Sequence, residues 1–581
     1  MKKNNIIVNF IVMHKVSYAV GFVFLFLSSY VTAQFPRVLG NAIDILKVNK
    51  FDVMKVKLNI LYMLIIAATI FVATYFWRNL VIGNGRKLEN YIRELLFQHL
   101  QQLSPEFYNR KKTGDLIAYA INDINAVRMT FGPATAMTVN GIVISVTSIY
   151  SMFTVVNWRL TLISLVPIPF IVIFMVKAGI TIRQRFRKVQ ECFSLISDRV
   201  QENINGIRVI KAYVQEEQEV ERFEKLNEQM KEANIRMVQI SSILRPTIEI
   251  CFSVSFVLNL ILGGNMVLNS TISLGEFIAF NTYLTIIMAP IISIGRIINI
   301  FQRGMASYKR LTDIIDEEPD VTDGAALANN EISGNIEIKD LSFRYPGAVR
   351  NSLNNINLTI PKGHTVGIIG RTGSGKSSIA NVLLKLFNVR NGKILLDGID
   401  INDYKLKTLR KGFSLVPQDN FLFSATIKEN IAFFMDSYSK QNIENAAKLS
   451  CIYNSIMKFE HGFDTVIGER GVNLSGGQKQ RISIARAIIR DPSVLILDDA
   501  LSAVDTITEA EILANLKTLR ENRTTIVIAH KISSVAEADE IIVMDNGAIV
   551  ERGSHEELLK FKGVYYDIYK EQEKDSKRNI L

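Results

Sequence analysis

The chain has 581 residues, 48% of them hydrophobic with tyrosine counted and 21% charged, and a formal net charge of +11. High apolar content excludes a disordered chain, 33 glycines exclude a collagen-like repeat, and 3 cysteines exclude a disulfide-held scaffold. The positive charge invites a nucleic-acid reading, but many of the basic residues lie between long apolar runs, where they mark the cytoplasmic side of a membrane. No nucleic-acid partner is expected, and the well-separated Cys192, Cys251 and Cys451 are expected to be free thiols.

Six apolar runs occupy the first 300 positions, near 16–38, 58–82, 131–156, 160–176, 243–268 and 277–300. At 1.5 Å per residue each can cross a hydrocarbon core of about 30 Å. Basic residues cluster between the second and third runs (Arg86, Lys87, Arg93, Arg110, Lys111, Lys112, Arg128) and between the fourth and fifth, from Arg183 to Arg236. The loop between the fifth and sixth runs has no Lys or Arg, and the loop between the third and fourth has only Arg159. Lys47, Lys50, Lys55 and Lys57 run against this asymmetry, but the balance predicts both termini in the cytoplasm. Val31-Thr32-Ala33 resembles a leader cleavage site, yet the run before it is span-length and more spans follow, so it is read as an uncleaved first span. The two basic stretches are helical in pattern and are expected to turn back near Thr113-Gly114-Asp115 and between Gly206 and Glu217. Within the fifth run, Glu249 is costly unless paired or wetted. Arg245, four residues earlier on the same face, offers an interfacial pair, and contact with a cationic substrate is the other reading.

A polar segment around Asp316-Glu317-Glu318-Pro319-Asp320, followed by Gly324 and Gly334, marks a boundary. From Ile336 short apolar strands alternate with amphipathic helices, which implies parallel β-structure with crossover helices. The division expected is 1–310 membrane part, 311–335 linker, 336–570 nucleotide-binding domain and 571–581 polar tail.

The strand at 366–369 runs into Gly370-Arg371-Thr372-Gly373-Ser374-Gly375-Lys376-Ser377, with Ser378 next, and a helix opens there. Glycines let backbone N–H groups turn inward around phosphates, Lys376 supplies a point charge and Ser377 a hydroxyl for Mg²⁺. The apolar run Val494-Leu495-Ile496-Leu497 ends on Asp498, a carboxylate suited to hold Mg²⁺ opposite that loop. Such a loop is expected to hold the phosphates of a nucleotide with Mg²⁺.

Leu474-Ser475-Gly476-Gly477-Gln478, about 20 residues ahead of Asp498, resembles the signature of the ABC-transporter ATPases. Phosphate loop, signature and magnesium aspartate stand in that family's order behind six spans, and the resemblance, to bacterial half-transporters of the multidrug-exporter type, covers nearly the whole chain. It implies an all-α six-helix transmembrane domain followed by an α/β P-loop nucleotide-binding domain. It implies further that Tyr345 stacks on adenine and that Gln418 touches Mg²⁺ and senses the membrane domain. His530 takes the place of the switch residue at the γ-phosphate, and the signature serves the ATP of a partner chain. Gly468-Glu469-Arg470-Gly471 resembles the segment that meets the coupling turns, and Ser502-Ala503-Val504-Asp505 the loop that crosses to the other nucleotide domain.

One position departs from the family pattern. Where a glutamate normally polarises the attacking water, this chain has Asp499. One methylene withdraws the carboxylate by more than about 1 Å, a misplacement that can cost about a hundredfold in rate. Asp499 is therefore either a slow base or part of a site that binds ATP and hydrolyses it poorly, as in one subunit of heterodimeric exporters. The function expected is ATP-driven export of amphipathic compounds across the cytoplasmic membrane. The expected partner is a second half-transporter, in a heterodimer or a homodimer. The alternatives are a lipid flippase or a peptide or lipid exporter working as a homodimer, an importer built on the same plan, and an ATP-regulated membrane module without pumping.

Overall fold

Within a bilayer, backbone N–H and C=O groups find no water, and a helix is the local structure that satisfies them within one segment. The computed structural model describes residues 6–47, 53–323, 331–433, 435–468 and 474–578. Among these described residues are six helices apolar and long enough to cross a membrane: Lys15–Leu46, Val53–Leu100, Thr113–Val156, Trp158–Asn205, Glu216–Leu268 and Leu274–Ile315. Each expected run falls inside one of them. At 53 residues, Glu216–Leu268 is about 80 Å long, well beyond the thickness of a hydrocarbon core.

The chain divides into two compact units, one of residues up to Gln101 with Thr113–Glu317, the other of Gln102–Lys112 with the residues from Glu318 onward. In the first unit, crossings between helices use small residues, which let backbones approach. The Cα of Gly132 lies 3.4 Å from where a Cβ on Gly85 would sit. At the start of Leu274–Ile315, Ser273 and Glu276 form a capping box. Asp44 adds to it by accepting from Ser273 Oγ at 2.5 Å and Gly275 N at 2.8 Å. Arg245 Nε donates to Glu249 Oε1 at 2.8 Å, so the pair expected from their spacing is formed.

Two local features differ from the expectation. The turn between the second and third spans comes before Thr113, which already begins the next span. Pro105 opens a short helix, Pro105–Arg110, after extended Ser104, a placement proline favours because its missing N–H is not needed there. The last span also runs to Ile315, past the boundary expected at 310. The second turn falls where expected, with Ile207–Ala212 between Gly206 and Glu216.

The second unit holds strands β1 (Ile336–Phe343), β2 (Leu353–Ile360), β3 (Thr365–Gly370), β4 (Ile394–Leu396), β5 (Ile399–Asp400), β6 (Phe413–Val416), β7 (Val494–Asp498), β8 (Thr524–Ala529), β9 (Glu540–Asp545) and β10 (Ala548–Gly553). One sheet has the order β10-β9-β3-β8-β7-β6, parallel except for the β9-β10 hairpin, and the other is antiparallel in the order β2-β1-β4-β5. β7 and β8 are buried at every position, as parallel strands covered on both faces must be. Ligands in open parallel sheets sit beyond the carboxyl ends of the strands. The ends of β3, β7 and β8 carry Gly370, Asp498 and Ala529, each followed at once by a candidate residue.

Candidate nucleotide site

The loop after β3 closes on the helix Lys376–Leu383, whose N-cap Gly375 has φ +96°. A side chain there would meet Ser352 O besides adopting a left-handed backbone, so glycine is required. The N-terminus of this helix, where the backbone dipoles leave partial positive charge, favours an anion. Lys376 is buried, and its ammonium donates to Gly370 O at 2.8 Å and Arg371 O at 3.0 Å. Burial lowers its pKa, with Asp498 and Asp499 pulling it back up. Ser374 Oγ is buried in the same loop without a hydrogen-bond partner among the described residues, an orphan polar atom of the kind an anion would satisfy.

At the end of β7 the Asp498 carboxylate accepts from Ser377 Oγ at 2.9 Å. Burial pushes the Asp498 carboxyl up, against the opposing pull of Ser377 and Lys376. Burial and the Lys376 charge lower His530, so its imidazole is neutral near pH 7. Residues Thr372 to Ser378, Gln418, Asp498, Asp499 and His530 line one cavity of about 910 Å³. Its volume fits a nucleotide-sized ligand. Ser377, Asp498 and Gln418 line the same cavity, and hydroxyl, carboxylate and amide oxygens are ligands that suit a hard divalent cation.

Other predicted positions fall outside this cavity. Tyr345 lies beside it, with its ring packed edge-on against Phe387 and its hydroxyl bonded to Ser378 Oγ at 3.2 Å and Asn381 Nδ2 at 2.9 Å. None of Leu474, Ser475, Gly476, Gly477 and Gln478 lines the cavity. Ser475 caps the helix Gly476–Ile488 in a capping box with Gln478, and Leu474 packs into the apolar cluster around Ile427 and Ile482. Gly477 lies against the loop after Asp499, where a Cβ would come 2.7 Å from Ala503 O. Of 468–471, positions 469–471 lie outside the described residues.

Several residues in these places escaped the sequence reading. Arg350, Asn354, Asn546 and Gly547 line the cavity. Asn546-Gly547 is a hairpin signal, and the turn has φ +47° and +81°. Its place beside the phosphate loop comes from Gly547 N donating to Ser374 O at 3.1 Å, a contact across 173 positions of chain that no local pattern records. Gln480, on the signature helix, donates to Ser502 Oγ at 3.0 Å and accepts from Ala503 N at 2.9 Å. It ties the signature helix to the loop that follows Asp499.

A parallel sheet with a glycine-rich loop at the end of β3, a carboxylate at the end of β7 and a helix whose start resembles the signature, after six spans in the chain, defines a membrane transporter with its own ATPase. The ABC transporter transmembrane region family matches residues 18–291, and the ABC transporter family matches 353–502. The probable multidrug resistance ABC transporter ATP-binding/permease protein YheI of Bacillus subtilis is 37% identical over 96% of this chain and 95% of its own length. The multidrug resistance-like ATP-binding protein MdlA of Escherichia coli is 37% identical over 93% of this chain and 91% of its own. An ATP-dependent lipid A-core flippase of Vibrio vulnificus is 36% identical over 83% and 82%. The structure of a bacterial Atm1-family ABC exporter with ATP bound superposes with a TM-score of 0.78 at 25% identity, covering 96% of this chain and 99% of that one.

The chain belongs to the ABC transporter family, with transmembrane region and ATP-binding domain fused. It is a multi-pass membrane protein whose class of activity is transport coupled to ATP hydrolysis, and exporters of this build act as dimers of half-transporters.

Proposed function

We propose that this chain is one subunit of a heterodimeric exporter that moves amphipathic compounds across the cytoplasmic membrane, with both termini in the cytoplasm. The separation of cavity and signature within one chain supports a dimer, and Asp499 in the place of the usual glutamate supports a heterodimer. Residues 474–478 have no ATP to serve in their own cavity, and a second nucleotide domain facing head to tail supplies one. Relatives named as multidrug transporters over nearly the whole length support the cargo class. The Vibrio relatives named lipid A-core flippases favour a second reading, a lipid as cargo.

In this reading the residues up to Ile315 form the translocation path, 316–335 the linker and 336–578 the ATPase with its last helix. The backbone from Gly370 to Gly375 with Ser378 cradles the phosphates, Lys376 neutralises their charge, and Tyr345 stacks on the adenine. Ser377, Asp498 and Gln418 would hold Mg²⁺, which supplies charge neutralisation between the outer phosphates. Asp499 orients water and His530, neutral, donates to the γ-phosphate. Asp499 serves this chain's own site, and Ser475 and Gly477 serve the partner's.

The test is reconstitution of the chain, with any chain that co-purifies from native membranes, into liposomes. Accumulation of a fluorescent lipophilic cation against its gradient with ATP supports multidrug export. Movement of a labelled lipid alone supports the flippase reading. ATP binding without movement of either would leave a membrane module and sink the proposal.

A further inference from the structure

The last described helix, Val564–Arg578, is polar enough at its end to pass for a tail. Its first turns are not a tail. Tyr565 and Ile568 are buried in the core on one face of the large sheet, and Tyr569 packs beside them. Gln572 lies three residues past Tyr569 and seven past Tyr565, on that same helical face. A side-chain amide on an apolar stripe is costly unless both ends are bonded.

Both ends are bonded, and to the segment that carries the switch histidine. Gln572 Nε2 donates to His530 O at 2.7 Å, and Gln572 Oε1 accepts from Ile532 N at 3.0 Å. β8 ends at Ala529, so these two backbone groups lie past the ladder that orders the strand. From another side Glu509, 2% exposed on the helix Thr506–Leu519, accepts from Ser533 Oγ at 3.2 Å and from Ser534 Oγ. The amide of Gln572 spans Lys531 and sets the backbone immediately on either side of it, including the peptide that leaves His530.

We propose that Gln572 is a positioning residue for His530, clasping the switch segment so that the imidazole stands where a γ-phosphate would lie. The proposal rests on the reading of His530 given above. Among the described residues Gln572 makes no hydrogen bond to the phosphate loop, whose Ser374 O accepts from Gly547 N instead. Its loss therefore affects the ligand with a third phosphate and spares the one without.

The experiment uses the full chain with its co-purifying partner in lipid nanodiscs. Photo-incorporation of 8-azido-ATP into this chain is competed with ATP and, separately, with ADP. Because the azide is on the adenine, labelling of this chain reports its own cavity. Gln572→Leu keeps the apolar stripe filled while removing both hydrogen bonds. Gln572→Ala is a second variant should the first not assemble. The ATP needed for half-competition is expected to rise about tenfold, the worth of about one lost hydrogen bond to a charged group, while that of ADP stays within about twofold. His530→Ala is expected to show the same selectivity. Equal loss for both nucleotides, or no loss for either, with His530→Ala still selective, would reduce Gln572 to a structural contact and overturn the proposal. An unselective His530→Ala would instead overturn the γ-phosphate reading, and the proposal with it.

Discussion

Asp499 has φ +48°, and its N–H donates to Ile528 O at 2.8 Å. The left-handed region costs most residues about 1–2 kcal/mol, and aspartate is among the few that enter it readily. Asp499→Glu should therefore raise hydrolysis at this site by up to about a hundredfold, by restoring reach, at a stability cost of about 1 kcal/mol. ATPase assays and thermal melts of the assembled pair measure the two effects. Lys376→Ala removes a charge from a buried cradle, and should weaken ATP binding at this chain's cavity by about 10- to 150-fold, the range of one charge-assisted hydrogen bond. Photolabelling with azido-nucleotide reads this directly, and an unchanged affinity would remove Lys376 from the cradle. A pH dependence follows from Asp498. Its raised pKa means that a proton competes with a divalent cation at a higher pH than at an ordinary aspartate. Affinity for Mn²⁺ should be full at high pH and fall as pH drops through that raised value. A titration of Asp498→Asn, in which the pH dependence disappears, is the control.

At the scale of elements, the spans follow from run length alone, because about 20 apolar residues can be nothing but a crossing when six of them recur. The charge asymmetry then predicts which turns are wet on which side. Single cysteines at position 111 and at position 269, in a chain from which Cys192, Cys251 and Cys451 have been removed, test this with an impermeant reagent on intact cells. Labelling is expected at 269 and not at 111, and the reverse would end the assigned topology. The signature helix illustrates the opposite case. Its capping box is readable, Ser475 with Gln478 three residues on, but its seat against the loop after Asp499 is not. That seat changes how one substitution is understood. Gly477→Ala already forces Ala503 O aside, since a Cβ would stand 2.7 Å from it. Lost turnover in a larger variant such as Gly477→Asp thus reflects a displaced loop as well as like charges facing across a partly desolvated gap.

At the scale of the whole molecule, the two candidate sites of a dimer draw differently on this chain. If the partner supplies glutamate where this chain has Asp499, then Ser475 and Gly477 serve the fast site. Gly477→Asp should abolish most turnover of the pair, and Asp499→Asn should remove much less. Equal and near-complete loss from both would favour a homodimer with Asp499 as the working base. Gentle extraction of the tagged chain, followed by identification of what comes with it, distinguishes the same alternatives by composition.

The local code was sufficient for the six spans and the α/β unit, and for placing the glycine-rich loop after β3 and Asp498 at the end of β7, since each depends on run length, periodicity or a short motif carried by neighbours in the chain. It was not sufficient where partners are far apart in sequence. Asn546-Gly547 against the phosphate loop, Gln480 between signature and Asp499 loop, and Gln572 on the switch segment each answer a backbone or side-chain polar group left open by a distant element. Residues Gln102–Lys112 joined the second unit for the same reason, with Ser104 Oγ donating to Asp320 Oδ2 at 2.5 Å. Such pairings are selected by the cost of burying an unpaired polar group, which is known only once packing has decided what is buried.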